Sequence, residues 1–272
     1  MDSVRVVSTE KLKVLSWNIY MLPNMIKPSQ KRERAREIVN VVQNSDYDVI
    51  VFQEAFLSRA RHIIRKGVKQ LYPYQVGPAN RKLIGLKMHS GVWILSRVPI
   101  KKVKDIRFKN CAVADCMARK GATMIEGQKN GKPFQLIGTH VQADDFQGIR
   151  NTQFRQIFKE LIQPFQKKDV PILISGDLNT PKDDEKSYKE MLEVLQAEDG
   201  ETSGETEGTY NTTYGTDKDF RKEKPLILDY ILIRKNNRFI KHLNRKVQVF
   251  RAKKNEKMYL SDHFAVEAEM EL

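Results

Sequence analysis

The chain has 272 residues, of which 40% are hydrophobic and 30% charged, and this composition excludes a disordered or collagen-like protein. A chain of this length buries about three quarters of its unfolded surface, so a hydrophobic core can stabilise it without disulfide bonds. Its 48 basic and 34 acidic residues give a formal net charge of +14, which favours an anionic partner such as nucleic acid or a lipid surface.

The sequence lacks the features of a membrane-spanning protein. No apolar run approaches the roughly 20 residues that a helix needs to cross a bilayer, and the first residues do not resemble a secretory signal. We therefore expect a cytoplasmic or peripheral membrane protein, or a secreted one if a signal was removed. No repeat or linker divides the chain, so we predict one catalytic domain over residues 1–272 and a monomer.

Branched residues are concentrated in short runs along the chain. These runs predict eight strands: Lys13 to Tyr20, Asp48 to Glu54, Gly91 to Ser96, Gly121 to Glu126, Phe134 to Val141, Val170 to Ser175, Leu226 to Arg234 and His263 to Glu271. Apolar residues at helical spacing predict helices between Leu57 and Leu71 and between Ile149 and Phe165. Asn130-Gly131 favours a type I′ hairpin turn. Together these elements predict an α/β layered architecture.

Charges and cysteines are unevenly placed. Asp183 to Glu207 holds ten acidic and two basic residues, and we interpret it as a solvated surface with a loop. Tyr230 to Asn255 holds nine Lys or Arg and no acid, and both a solvated face and an anion-binding face stay open for it. Cys111 and Cys116 fit neither a disulfide framework nor a zinc pattern, and a local bridge between them stays open.

Polar residues interrupt or end the first two predicted strands. Asn18 follows Trp17, and Glu54 ends the apolar run that begins at Val49. A carboxylate at the end of a buried strand costs several kcal/mol unless it is paired or bound to a metal. Mg²⁺ is the natural candidate because it prefers a few carboxylate oxygens and retained waters. Taken alone, a glutamate at a strand end, such as Glu54, is more often a salt-bridged structural residue.

Four later motifs also place polar residues next to strands: Gly138-Thr139-His140-Val141, Gly176-Asp177-Leu178-Asn179, Leu228-Asp229-Tyr230 and Ser261-Asp262-His263. Asp177 and Asn179 flank one residue in a strand-end turn, so both can point into one cavity. Asp229 on one strand and His263 on another can form an orienting carboxylate and an acid–base imidazole. A lone histidine such as His140 is more often a hydrogen-bonded core residue.

The order of these motifs from Asn18 to His263 resembles the endonuclease/exonuclease/phosphatase superfamily. The resemblance implies a four-layer α-β-β-α sandwich with two mixed, mainly antiparallel sheets. It also implies phosphodiester or phosphomonoester hydrolysis that depends on Mg²⁺, with Mn²⁺ or Co²⁺ as substitutes. Three segments further resemble the neutral sphingomyelinases: Asn18 to Pro23, Asp115 to Gly121 and Gly138 to Ala143. We therefore expect hydrolysis of sphingomyelin to ceramide and phosphocholine, with peripheral contact with the membrane that holds this lipid.

The resemblance also implies roles for individual residues. Glu54 and Asn18 would hold the metal, and Asn18, Tyr20, Asp115 and Lys120 would lie at the substrate. His140 would donate to the phosphoryl group or leaving group. The catalytic set is completed by Asp177, Asn179, Asp229, Asp262 and His263. Which of Asp177 and His263 takes the proton of the attacking water stays open.

Several alternatives remain from the sequence. A Mg²⁺-dependent DNA or RNA endonuclease would explain the positive charge, and a phosphoinositide-type phosphatase or an inactive scaffold could share the fold. Asp115 and Lys120 could instead form a surface ion pair worth about 0–1 kcal/mol. His89 replaces an acidic residue of secreted bacterial sphingomyelinases, which leaves the partner of His140 unspecified. Phe250 to Lys257 is basic where those enzymes expose aromatics, so it would either bind anionic lipid or stay solvated.

Overall fold

The computed structural model describes residues 11–23, 30–80, 88–210, 225–235 and 243–272. Its strands are β1 (Lys11–Asn18), β2 (Val49–Gln53), β3 (Tyr74–Val76), β4 (Trp93–Ser96), β5 (Ile100–Arg107), β6 (Gly121–Lys129), β7 (Lys132–His140), β8 (Ile172–Asp177), β9 (Ala197–Glu198), β10 (Thr202–Gly204), β11 (Asp229–Arg234), β12 (Leu243–Gln248), β13 (Arg251–Ala252), β14 (Asn255–Tyr259) and β15 (Ala265–Glu271). Its α-helices are α1 (Lys31–Gln43), α2 (Ser58–Val68), α3 (Gln147–Ile157), α4 (Gln163–Phe165) and α5 (Glu185–Leu195). A 3₁₀ helix spans Val113–Met117, and a π-helical segment spans Phe158–Ile162.

Two large sheets form the centre of the molecule. The first has the order β10-β12-β15-β1-β2-β4-β3, and the second has the order β5-β6-β7-β8-β11-β9. Side chains alternate between the two faces of each strand, so each sheet buries two apolar layers. The layer between the sheets includes Val14, Val51, Leu136 and Ile231. The predicted arrangement of two mixed, mainly antiparallel sheets is confirmed.

Helices cover the outer face of each sheet. Helices α1 and α2 pack on the first sheet through a cluster that includes Trp17, Ile38, Ile64 and Trp93. Helices α3 and α5 pack on the second through a cluster that includes Met124, Phe154, Ile174 and Met191. The molecule is therefore a four-layer α-β-β-α sandwich, as predicted. No described helix is both long enough and apolar enough to cross a bilayer.

The eight predicted strands are all present, with ends shifted by a few residues, and the Asn130-Gly131 turn joins β6 to β7. The φ angles of Asn130 and Gly131 are 50° and 82°, which suits a type I′ turn. Seven strands of the described residues were not predicted, namely β3, β5, β9, β10, β12, β13 and β14, and β5 is the longest of them. Strand β5 lies at the edge of its sheet, and its Lys101 and Lys104 are exposed. Such charges keep an edge strand from pairing with other chains. They also interrupt the alternation of apolar residues by which a strand is predicted.

The helices were predicted only in part. The stretch from Leu57 to Leu71 contains α2, whereas the stretch from Ile149 to Phe165 is divided among α3, the π-helical segment and α4. Pro164 lies in the last of these, where a proline is tolerated in the first turn. Helices α1 and α5 were not predicted.

The two charged runs meet in the folded protein. The side chain of Asp199 in the acidic run is only 4% exposed, and it forms ion pairs with Lys182 and with Arg245 of the basic run. It also accepts a hydrogen bond from Tyr188. The interpretation of the acidic run as a solvated surface is therefore wrong at Asp199, and its predicted loop contains β10. Residues 236–242 of the basic run lie outside the described residues.

The two cysteines form a disulfide bond with each other. The bond closes a six-residue loop between β5 and β6 that contains most of the 3₁₀ helix. Of the alternatives that the sequence left open, the local bridge is correct.

Candidate active site

The candidate site lies where strands of both sheets end side by side. In the parallel pair of β1 and β2, Asn18 is opposite Gln53. In the second sheet, Asp177 on β8 is opposite His140 on parallel β7 and opposite Asp229 on antiparallel β11. Strand register thus brings polar residues that are far apart in sequence to one edge of the sandwich.

Left-handed backbone conformations follow three of these strand ends. Tyr20, Glu54 and Asn179 have φ angles of 48°, 51° and 44°. The N–H of Tyr20 donates to Oδ1 of Asn18, and the N–H of Asn179 donates to Oδ1 of Asp177, each at 3.1 Å. Such conformations cost about 1–3 kcal/mol and concentrate at functional sites. The turns fix the orientation of the two polar side chains that precede them.

Asn18 connects the two sheets. Its Nδ2 atom donates to Oε1 of Glu54 at 3.3 Å and to Oδ2 of Asp177 at 3.1 Å. Its backbone carbonyl accepts from the Ser261 hydroxyl at 2.6 Å. One buried residue therefore holds together carboxylates from different sheets, through its amide, and the segment that carries Asp262 and His263, through its backbone carbonyl.

His263 and Asp229 form a buried hydrogen-bonded pair, with 2.8 Å between Nδ1 and Oδ2. Burial alone would lower the pKa of His263, but the charges of Asp229 and Asp177 raise it well above its usual value. Burial raises the pKa of Asp229 to about 6. At neutral pH the pair is therefore an imidazolium and a carboxylate. The ring of Tyr210 lies 4.8 Å from the imidazole and covers one side of it.

Asp177 is the central acid of the site. Its Oδ2 atom lies 3.5 Å from Nε2 of His140 and 3.7 Å from Nε2 of His263. Its other oxygen accepts the N–H of Asn179, whose amide donates to the carbonyl of Val141 at 3.4 Å. The buried carboxylate thus faces both histidines that the sequence singled out.

His140 is bound to a lysine rather than to an acid. Lys120 Nζ lies 3.0 Å from Nε2 of His140, donates to the carbonyl of Val141 at 2.9 Å and pairs with Asp115 at 2.8 Å. Burial, together with the charge of Lys120, lowers the pKa of His140 well below its usual value. A neutral His140 that accepts from Lys120 carries its proton on Nδ1, which has no partner among the described residues.

The alternative of a surface ion pair is wrong for Asp115 and Lys120. Their side chains are only 16% and 6% exposed. The second oxygen of Asp115 accepts the N–H of Ala143 at 2.7 Å, so both of its oxygens are engaged within the protein. We therefore interpret Asp115 and Lys120 as positioning residues for His140, and their expected place at the substrate stays a prediction. His89 accepts from the N–H of Gly91 and stacks on Phe56.

We expect Lys120→Ala to lower kcat by about 10- to 100-fold with little change in KM, a loss typical of residues that orient reacting groups. The substitution removes the donor that fixes the tautomer of His140. Steady-state kinetics tests this, with Lys102→Ala as the control because Lys102 forms an exposed pair with Asp105. An unchanged kcat for Lys120→Ala would remove Lys120 from the positioning of His140.

Glu54 and Asp262 form a region of concentrated negative charge. Burial and the charge of Asp262 raise the pKa of Glu54 to about 7. Burial also raises the pKa of Asp262, while His263 and Arg34 act in the opposite direction. The Oε2 atom of Glu54 is buried without a hydrogen-bond partner among the described residues. Two repelling carboxylates with an unpaired oxygen fit a divalent cation, and Oδ1 of Asn18 offers a further oxygen ligand.

A second group of ligand-type atoms belongs to Asp177, Asp229 and His263, and these atoms lie within 4.8 Å of one another. The hydrogen bond between Asp229 and His263 already uses one donor and one acceptor of this group. We therefore interpret it as acid–base machinery, and the metal site expected at Glu54 and Asn18 stays a prediction.

The sequence did not reveal the part played by Arg34. This buried residue of α1 donates to the carbonyls of Ile19, Tyr20 and Leu260. It therefore ties the turn after Asn18 to the segment before Asp262. A basic residue on the apolar face of a helix is the only signal for it, and that signal appears once α1 is recognised.

Comparison with known proteins agrees with this geometry. The model of the Endonuclease/Exonuclease/phosphatase family matches residues 15–263. The chain belongs to this family, and the predicted membership of the endonuclease/exonuclease/phosphatase superfamily is confirmed. A relative named sphingomyelinase C from Leptospira interrogans is 34% identical over 253 residues, which are 83% of this chain and 44% of that protein.

Solved structures of Staphylococcus aureus beta toxin are also similar. One has a TM-score of 0.85 at 30% identity and covers 94% of this chain and 99% of its own. A beta toxin variant with bound magnesium ions has a TM-score of 0.83 at 28% identity and covers 95% and 99%. This chain spans less than half of two Leptospira relatives, 44% and 40% of their lengths.

Proposed function

We propose that the protein hydrolyses sphingomyelin to ceramide and phosphocholine, with water attacking phosphorus directly. The observation that carries the proposal is the buried constellation in which Asp177 faces His140 and His263 while Asn18 links it to Glu54. The name and identity of the sphingomyelinase C from Leptospira support the substrate. Because the whole relative is longer, this support concerns the matched region.

We also propose Mg²⁺ as the cofactor, held by Glu54, Asp262 and Asn18. The magnesium ions in the beta toxin structure support this choice of ion. When bound, the cation would supply positive charge to the phosphoryl oxygens and lower the cost of their developing charge. Burial and the charge of Asp262 raise the pKa of Glu54 to about 7 in the protein without metal, and a bound cation would favour its ionised form.

The protonation states of Asp177, His263 and His140 determine their catalytic roles. Asp177 accepts the proton of water, because His263 is already protonated at neutral pH through its contact with Asp229. The imidazolium of His263 stabilises the negative charge that develops on phosphorus oxygens. His140 would protonate the phosphoryl group or the departing alkoxide, and its contacts with Lys120 and Asp177 hold the ring in place.

The site of bond cleavage tests this proposal. Hydrolysis of sphingomyelin in water enriched with ¹⁸O should place one heavy oxygen in phosphocholine and none in ceramide, which mass spectrometry can measure. Release of free choline, or heavy oxygen in ceramide, would contradict attack at phosphorus with ceramide as the leaving group.

We also propose that strands β13 and β14 contact anionic lipid through charge. Lys253, Lys254 and Lys257 are exposed on this hairpin, whereas Phe250 packs on Trp17 with ring centroids 4.8 Å apart. Each exposed cation contributes about 1 kcal/mol near an anionic surface, and salt screens that contribution. The hairpin ends two residues before Ser261, which places it beside the site.

Replacing Lys253 and Lys254 with glutamate should therefore weaken binding to anionic vesicles by at least about tenfold at low salt. Vesicle sedimentation across salt concentrations measures the effect, and a Lys101→Glu/Lys104→Glu variant on exposed β5 is the charge-matched control. Equal losses in both variants would mean that net charge, rather than the hairpin, determines binding.

A further inference from the structure

Two exposed apolar side chains share one short turn. Val113 and Met117 are 63% and 59% exposed, whereas Leu71 and Tyr74, the other large exposed apolar residues in the described part, are 38% and 39% exposed. Single exposed apolar residues are common on soluble proteins, but two on one 3₁₀ turn form a local contact point. We call Val113 and Met117 the apolar tip.

The turn that carries the apolar tip is held rigidly. The bond between Cys111 and Cys116 closes it, and the N–H of Ala112 donates to Oε1 of Gln142 at 2.8 Å. Val113 has a φ angle of 40°, which a β-branched residue adopts only when its surroundings enforce it. The two side chains are therefore presented to solvent by a backbone that needs little further ordering on binding.

The apolar tip also lies on the rim of the candidate site. Asp115 stands between its two residues and pairs with Lys120, which contacts His140. Asp115 also accepts the N–H of Ala143, three residues after His140. Two successive contacts thus connect the tip to the reacting region.

We propose that the apolar tip enters the lipid interface of a bilayer and docks the site onto its headgroups. This inference rests on the proposed lipid substrate and names a second, apolar contact beside the basic hairpin. Stable protein interfaces bury about 800 Å² per partner, far more than two side chains offer. A bilayer accepts isolated apolar groups, with about 0.8 kcal/mol for each CH₂ buried. Exposed Arg107, at the end of β5, precedes the turn and can meet lipid phosphate.

Sedimentation with vesicles of phosphatidylcholine and sphingomyelin, in EDTA to prevent turnover, tests the proposal. The Val113→Ser/Met117→Ser variant should bind about tenfold or more weakly than the wild type. The matched control is Leu71→Ser/Tyr74→Ser, which also removes two exposed apolar side chains and should bind as the wild type does. Equal binding by the tip variant and the wild type would overturn the proposal.

A second measurement locates the tip without relying on loss of binding. Trp17 and Trp93 are buried, so Met117→Trp adds an exposed fluorophore that brominated lipids should quench, whereas Leu71→Trp should not be quenched. Absence of quenching at position 117 would contradict insertion. Hydrolysis of a short-chain, monomeric sphingomyelin separates the proposed activity from the proposed insertion, because the tip variant should hydrolyse this substrate as the wild type does. If the wild type did not hydrolyse this short-chain sphingomyelin, the proposed activity would be refuted, and the quenching result would still test insertion.

Discussion

The His263→Ala variant is expected to lose about 10²–10⁴-fold in kcat, the typical contribution of a general acid–base group. His263 faces Asp177 and is bound to Asp229, so its removal takes away the imidazolium and leaves Asp229 without the ring that it orients. Adding Asp229→Ala should then cost little more, because residues that act as a unit are not additive. Steady-state kinetics on the three variants measures this, with exposed His62→Ala as the control.

Independent losses that multiply in the double variant would show that His263 and Asp229 do not act as a pair. The pH profile tests the charge of His263 separately. Because Asp229 and Asp177 raise its pKa, an imidazolium role predicts that kcat falls as pH rises through that pKa. A kcat that increases over the same interval would identify His263, rather than Asp177, as the proton acceptor.

Replacing Glu54 with glutamine should abolish tight binding of Mg²⁺ and lower activity by at least about 10²-fold, because it removes the ligand charge while keeping the shape. Calorimetry should show that binding to the wild type weakens about tenfold for each pH unit below 7, since the proton competes with the cation at Glu54. The Glu193→Gln variant, changed at an exposed position, is the control.

The same carboxyl group should affect the stability of the metal-free protein. Its pKa rises from 4.5 to about 7 on folding, mainly through burial, so the folded state holds the proton more tightly. The contribution of Glu54 to the free energy of unfolding is therefore full below pH 4.5 and is lost as pH rises through about 7. Glu54→Gln should remove this dependence, and an identical pH dependence in both proteins would contradict the burial of an unpaired Glu54.

Local sequence patterns predicted the elements that carry the site. Strands β1, β2 and β8 are apolar runs that stop at a polar residue, and β11 begins with Asp229. A buried strand leaves few other places for such residues. The motif order then allowed the fold and the grouping of Asn18 with Asp177 to be inferred by resemblance. Strand β5 was not predicted because its exposed lysines interrupt the run of apolar residues.

The contacts that complete the site depend on distant parts of the chain. Arg34 donates a hydrogen bond to the carbonyl of Leu260, which lies 226 residues later in the chain. No local sequence pattern predicts such a contact. Resemblance pointed to Lys120, yet its contact with His140 and its burial emerged only in three dimensions. The disulfide between Cys111 and Cys116 was likewise undecided, because spacing alone cannot show whether two thiols face each other.

The most direct measurement compares the hydrolysis of sphingomyelin with the nicking of plasmid DNA, in the wild type and in His263→Ala. Phosphocholine release from sphingomyelin should occur with Mg²⁺, stop in EDTA and fall at least about 10²-fold in His263→Ala. Plasmid nicking by the wild type should not exceed nicking by that variant. Plasmid nicking that needs Mg²⁺ and is lost in His263→Ala, without phosphocholine release by the wild type, would contradict the account and identify the site as that of a nuclease.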